Sequence, residues 1–178
     1  SKLFSPDLAS GERDESIKRE LDEFYWTRLP GTRMGVVTER LQVRGGRRKA
    51  WAMEEISRRA DKPLREIAFV GDSVTDMRAS QVLETMGGMA IAFNGNRYVL
   101  CCATVGVASQ SLTDIVQILD IWVAGGRPAV KQWVRDHQER HRGQSAYDWL
   151  PGLADLREVL AKHKITRASV RNRAAKLG

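Results

Sequence analysis

Two short apolar runs constrain this 178-residue chain more than any other feature: "EIAFVG" at residues 66–71 and "MAIAFNGN" at 89–96. Each is too short for a buried helix and is continuously apolar rather than alternating, the pattern of a strand covered on both faces. Between them, "MRASQVLETM" (77–86) returns to helix and stops at Gly87-Gly88, a C-terminal cap candidate. Before them, "RRKAWAMEEISRRA" (47–60) sets Ala52, Met53, Ile56 and Ala60 on one helical face, with Arg58 and Arg59 outside it, until Pro63 breaks the pattern. After them come "RYVLCCA" (97–103), a short helix candidate, and "TVGVA" (104–108), a third strand. Helix alternating with buried strand predicts an α/β fold: a Rossmann-like parallel sheet with right-handed crossovers and a ligand crevice at the carboxyl ends of its strands.

The flanks read differently. "SPDLASGERDE" (5–15) reads as a loop or frayed start, and "SIKRELDEFYWTRL" (16–29) as a helix with Ile17, Leu21, Phe24 and Tyr25 in register, ended by Pro30-Gly31. "MGVVTERLQVRGG" (34–46) fits a short helix or a strand. From Ser111 onward the chain is helix-like throughout: "SLTDIVQILDIWVAGG" closes on two glycines, "RPAVKQWVRDHQERH" carries proline in its first turn, and "LADLREVLAKH" and "ITRASVRNRAAKL" follow. The expected organisation is an N-terminal helical and loop segment (1–46), an α/β core (47–110) and a helical C-terminal region (111–178).

Hydrophobic residues make up 42% and charged residues 29%, as in an ordinary globular protein. No apolar run approaches the ~20 residues a membrane span needs, and the polar start "SKLFSPDLASGERDES" lacks a signal-peptide core; the expectation is a cytoplasmic protein without a membrane partner. Cys101 and Cys102 are adjacent and are the only cysteines, so neither a disulfide framework nor a CxxC metal site is expected, and they read as small buried groups. Trp51, Trp122, Trp133 and Trp149 read as core or interface, and His137, His141 and His163 as surface helix positions. The net charge is +7, and "RASVRNRAAKLG" (167–178) holds three arginines and a lysine without an acid. That tail is either a solvated helix face or a nucleic-acid contact. "LREVLAKHKITRASVRNRAAKLG" has the outline of a helix-turn-helix ending with its turn around Lys164, or of one terminal amphipathic helix docking Val170 and Leu177 on the sheet.

The chemistry gathers after the first strand. In "IAFVGDSVTDMRAS" Asp72 follows the strand end and Asp76 sits four residues on, at the start of the next helix. Clustered carboxylates repel unless a cation or proton lies between them. A magnesium ion that keeps several waters suits one or two such oxygens. The alternative is structural: Asp76 as N-cap and Asp72 as a turn residue. Lys49 weighs on the choice, because the start of its helix lies near strand carboxyl ends in a parallel sheet, where an ammonium offsets carboxylate repulsion and favours a phosphoryl group.

"GGRRKAWAMEEI", "IAFVGDSVTDMRAS" and "GGMAIAFNGN", in that order, resemble the second half of haloacid dehalogenase-like phosphatases, closest to a mainly archaeal group; the resemblance covers roughly residues 24–134. It implies that Lys49 is the lysine of the third motif and that Asp72 and Asp76 are the magnesium-binding aspartates of the GDxxxD motif. Asn94, with Ser73, would lie near the substrate, a phosphorylated small molecule or inorganic phosphate.

The same family has a DxD motif whose first aspartate attacks the phosphoryl group and whose second serves as acid and base. Neither Asp7, Asp14 nor Asp22 has a second aspartate two residues on, and none follows an apolar strand. Thr38 imitates the second motif but stands only eleven positions before Lys49. The chain is therefore expected to be a phosphatase core whose nucleophile comes from outside it, as a fragment or as half of a split enzyme. The open sheet edge would then invite self-association or a completing polypeptide. The alternatives are an inactive binding or regulatory relative and, further off, a nucleic-acid-binding protein.

Overall fold

Strands β1 (Ala68–Gly71), β2 (Met89–Phe93), β3 (Val105–Val107) and β4 (Tyr147–Trp149) form one sheet in that order, β1 to β3 parallel and β4 antiparallel. The computed structural model describes residues 10–40, 45–141 and 143–174, which divide into two units, Ser1–Val43 and Arg44–Gly178. The sheet lies in the second unit, with helices α3 (Arg47–Arg59), α4 (Met77–Met86), α5 (Arg97–Leu100), α6 (Asp114–Arg140) and α7 (Arg157–Ala174). The fold is α/β and Rossmann-like, with a helical C-terminal extension.

Continuous apolarity in β2 has the expected cause. Successive side chains point to opposite faces, and both faces are covered. Ala90 and Ala92 pack with Ala50, Met53, Ala79, Leu83, Val99 and Leu100. Met89 and Ile91 pack with Val105, Val107, Ile118, Val130 and Val134. Gly87 closes α4 in the left-handed region at φ 79°, where glycine carries no Cβ penalty. Gly126, at φ 67° and ψ −167°, breaks α6 just before Pro128, so the two glycines and the proline act as read.

β1 behaves otherwise. Among the described residues it pairs only with β2, and Ala68 and Val70 are exposed. An apolar parallel strand with one open edge is a template for further pairing.

The first unit holds α1 (Ser10–Glu23), a π-helical turn (Phe24–Arg28) and α2 (Arg33–Arg40). "MGVVTER" is thus helix, while residues 41–44 of that stretch lie outside the described ones. Leu21, Phe24, Tyr25 and Trp26 are exposed.

Several expectations are corrected. The region after Ser111 is not all helix: β4 joins the sheet by pairing Tyr147, Asp148 and Trp149 with Val107, Gly106 and Val105. Three residues are too few to show a period, so β4 exists through its partner strand. The turn around Lys164 does not form, because α7 is continuous from Arg157 to Ala174, and with it the helix-turn-helix outline is lost. No glycine or proline interrupts that stretch, and Val159 and His163, four residues apart, bury one stripe. Leu177 lies outside the described residues. His163 is fully buried, not a surface residue. Cys101 is exposed and Cys102 half-buried, because both follow the short α5 at a surface turn. Trp51 is 60% exposed and so takes no part in the core.

Candidate functional site

The loop from Asp72 to Asp76 leaves the carboxyl end of β1, and the start of α3 is pinned beside it: the Gly46 N–H donates to the Thr75 carbonyl at 3.0 Å. This places Lys49, in the first turn of α3, over the loop. Its ammonium pairs with Asp76 Oδ1 and reaches Thr75 Oγ1 at 3.3 Å.

Asp76 stands at the N-cap position of α4, yet its side chain makes no cap hydrogen bond. Instead Oδ2 turns back and accepts from the Asp72 N–H at 3.0 Å, the Ser73 N–H at 3.1 Å and Ser73 Oγ at 3.1 Å. The carboxylate is buried. Burial alone would raise its pKa, but the bonds from Lys49, Asp72 and Ser73 together hold it below the ordinary aspartate range. The simple capping alternative is therefore set aside by geometry: Asp76 is spent on the loop and on Lys49.

Asp72 differs. Its side chain is 51% exposed, and Oδ2 meets Arg167 NH2 at 3.0 Å. Arg167 also donates to the Asp72 carbonyl and, through Nε, to the Asn94 carbonyl at 2.8 Å. One turn earlier on α7, His163 Nδ1 accepts the Gly95 N–H at 2.8 Å. Helix α7 thus grips the carboxyl ends of β1 and β2 with two side chains.

Asn94 lies at φ 46° in the left-handed region, just past the end of β2. Its amide is buried, donating to the Ser109 carbonyl at 2.7 Å and accepting the Ser109 N–H at 3.1 Å. Ser73, half-buried, gives its hydroxyl to Asp76. The structure thus brings Lys49, Asp72, Ser73 and Asp76 together around one loop. Asn94 is linked to them through its backbone and Arg167, while its side chain faces Ser109.

Sequence reasoning missed Arg167 and His163. Arg167 opens the tail read as a solvated face or a nucleic-acid contact, and His163 reads from the sequence as a surface helix position. The available signal was their spacing of four, which puts an arginine and a histidine on the same helical stripe as Val159.

The aspartate pair offers magnesium few free oxygens. Both Asp76 oxygens are engaged, so Asp72 is the one carboxylate of the pair turned to solvent. Among the described residues no group of three histidine, cysteine, aspartate or glutamate side chains could hold a metal. His137 and His141 stack at 4.0 Å, with His137 Nδ1 on Ser145 Oγ at 2.9 Å. A magnesium ion fits Asp72 only as one that keeps most of its waters and takes further oxygens from a phosphate or from outside this loop. Two surface cavities, of about 490 and 530 Å³, are lined by none of these site residues.

Gly71 sets the tightness of the loop. A Cβ there would lie 2.4 Å from Asp76 Cβ and 2.8 Å from its Cγ. Gly71→Ala is expected to cost about 1–3 kcal/mol through overpacking and to push Asp76 off Lys49. Urea unfolding checks the first effect. An unchanged midpoint would show that the loop relaxes freely.

Fold and site together define an α/β protein with a mostly parallel sheet, carrying two aspartates and a lysine at the carboxyl end of β1. Its relatives are distant: no family model matches the chain, and no curated protein matches it. Among solved structures it is similar to gene product AF1437 from Archaeoglobus fulgidus, with a TM-score of 0.65 and 23% identity over 96% of this chain and 55% of that one. The chain spans about half the length of that structure, and the likeness is one of fold. Among the described residues no helix is long and apolar enough to cross a membrane.

Proposed function

We propose that this chain is the magnesium- and phosphate-binding part of a phosphohydrolase resembling haloacid dehalogenase-like phosphatases, with the nucleophile supplied from outside it. The observation that carries the reading is the Lys49–Asp76 ion pair at the end of β1, with the half-exposed Asp72, paired with Arg167, beside it. That loop sits on a strand whose other edge has no partner among the described residues.

In this reading Asp76 is a positioning residue that fixes Lys49 and the 72–73 backbone. Lys49 binds a phosphoryl oxygen of a phosphorylated small molecule or of inorganic phosphate, and its ammonium offsets the charge that develops there. Asp72 would hold magnesium, and the bound ion would neutralise phosphoryl charge. Ser73 and the Asn94–Asn96 turn border the substrate. A carboxylate on a strand added beside β1, from another polypeptide or a longer form of this one, would be the attacking group. The open edge of β1 supports that addition, and pairing of the chain with itself is the expected substitute when no such strand is present.

A second reading, a binding module without chemistry, is favoured by one contact: Arg167 already neutralises Asp72. The two diverge in a turnover assay. With magnesium and a generic phosphate ester, the pure chain is expected to hydrolyse slowly or not at all. Addition of a polypeptide bearing a DxD strand should produce turnover that Asp72→Asn and Lys49→Met abolish. Robust turnover by the pure chain, lost in Asp72→Asn, would contradict an external nucleophile. No turnover after supplementation would favour the silent module. Light scattering at high concentration checks the open edge, and a clean monomer would contradict it.

A further inference from the structure

The turn after α5 carries two thiols in contact. Cys101 Sγ and Cys102 Sγ lie 3.3 Å apart, and Cys101 Sγ donates to the Tyr98 carbonyl at 3.1 Å. The backbone fixes both residues, with the Cys101 N–H on the Arg97 carbonyl at 3.4 Å and the Cys102 N–H on that of Val99 at 3.1 Å. Cys101 is exposed and Cys102 half-buried, so a small reagent can reach the pair.

A direct bond between these sulfurs is unfavourable. Adjacent residues have Cα atoms about 3.8 Å apart across a trans peptide, short of the roughly 4.4–6.8 Å of ordinary disulfides. One atom placed between the sulfurs relieves that conflict. With bonds of about 2.3 Å to each sulfur, the 3.3 Å separation subtends roughly 90° at the bridging atom. A tetrahedral ion wants a wider angle and two more ligands, which the described residues do not supply. A pyramidal trivalent centre accepts the narrow angle and needs one further substituent. Soft thiolates suit such an ion.

We propose that Cys101 and Cys102 form a chelating site for a thiophilic trivalent main-group centre, arsenic or antimony, that carries one non-protein substituent. With a monosubstituted arsenoxide, each thiol forms a sulfur–arsenic bond and gives up its proton. The oxide oxygen leaves with both protons as water, and arsenic stays trivalent. Cys101, the exposed thiol, attacks first. Cys102 follows as an intramolecular step, which overcomes its weak acidity: burial first, then the neighbouring Cys101, pushes that thiol up to about 12. The site is independent of the phosphatase reading.

The test is phenylarsine oxide added to the full chain, read by mass and by thiol titration. One arsenic per chain should consume both thiols. The adduct should resist a large excess of 2-mercaptoethanol and be released by 2,3-dimercaptopropanol. In Cys101→Ser or Cys102→Ser, displacement by the monothiol should be at least about a hundredfold faster, since the intramolecular second bond is lost. The proposal is overturned if the native chain loses one thiol per arsenic, or if monothiol strips it as fast as it strips a single-cysteine variant. The native-chain measurements decide the matter even if a variant fails to fold.

Discussion

Asp76→Ala is expected to destabilise the protein by about 3 kcal/mol, the lower part of the range for removing one partner of a buried ion pair. The carboxylate it deletes satisfies four donors: Lys49, two loop N–H groups and the Ser73 hydroxyl. The Asp76 side chain is 5% exposed and that of Lys49 32%. Lys49 can therefore recover some hydration, which keeps the cost from the top of the range. The Asp72 and Ser73 N–H groups have less recourse, because their loop is held against the start of α3. Asp76→Asn should fall between: its carbonyl can still accept from the loop, but its amide cannot pair with an ammonium. Urea unfolding with unchanged m-values measures both. A loss below about 1 kcal/mol for Asp76→Ala would mean that the loop is not organised by this carboxylate.

The second large effect is on pH dependence. His163 is fully buried, and burial first, then Lys162 and Arg167, lowers its pKa from 6.5 to about 4. Nδ1 accepts the Gly95 N–H, so the neutral ring carries its proton on Nε2, which faces Gly106 closely enough that a Cβ there would approach to 2.9 Å. Below pH 6.5 the unfolded chain binds a proton that the folded chain refuses until about pH 4. The stability linked to His163 is thus fully present above 6.5 and drains away as pH falls from 6.5 to about 4, a total of about 3 kcal/mol at about 1.4 kcal/mol per pH unit. His137, lowered by burial and then by His141, adds in the same direction. Asp76, with its lowered pKa, contributes stability present above about pH 3.8 and lost below it. His163→Gln keeps an acceptor for Gly95 without a titrating ring, so its midpoint should vary less between pH 6.5 and 4 than that of the native chain. Equal slopes would contradict the burial of a neutral ring.

What the sequence made legible follows physical lines. "MAIAF" announces its strand because both faces of β2 need apolar groups, whereas "AFVG" reads as a buried strand although Ala68 and Val70 of β1 are exposed; Gly87 and Gly126 announce breaks because their φ values demand glycine. The nearness of Lys49 to Asp76 follows from parallel topology, which brings helix starts to strand carboxyl ends. Less was visible where tertiary structure decides. β4 is three residues long and exists through Gly106 and its neighbours. Arg167 reaches Asp72 across 95 residues of chain, and no local pattern links them. The roles within the aspartate pair were also hidden. Spacing treats Asp72 and Asp76 alike, whereas backbone direction buries one and leaves the other in solvent.

In the proposed function, Lys49 and Asp72 together hold a divalent cation and a phosphate at the end of β1. Titration calorimetry with magnesium, in the absence and presence of inorganic phosphate, tests it most directly. Each ligand should tighten the other, as reciprocal coupling requires. Asp72→Asn should abolish magnesium binding, while Lys49→Met should remove the effect of phosphate. Magnesium and phosphate that bind without influencing each other, or that bind both variants as well as the native chain, would contradict it.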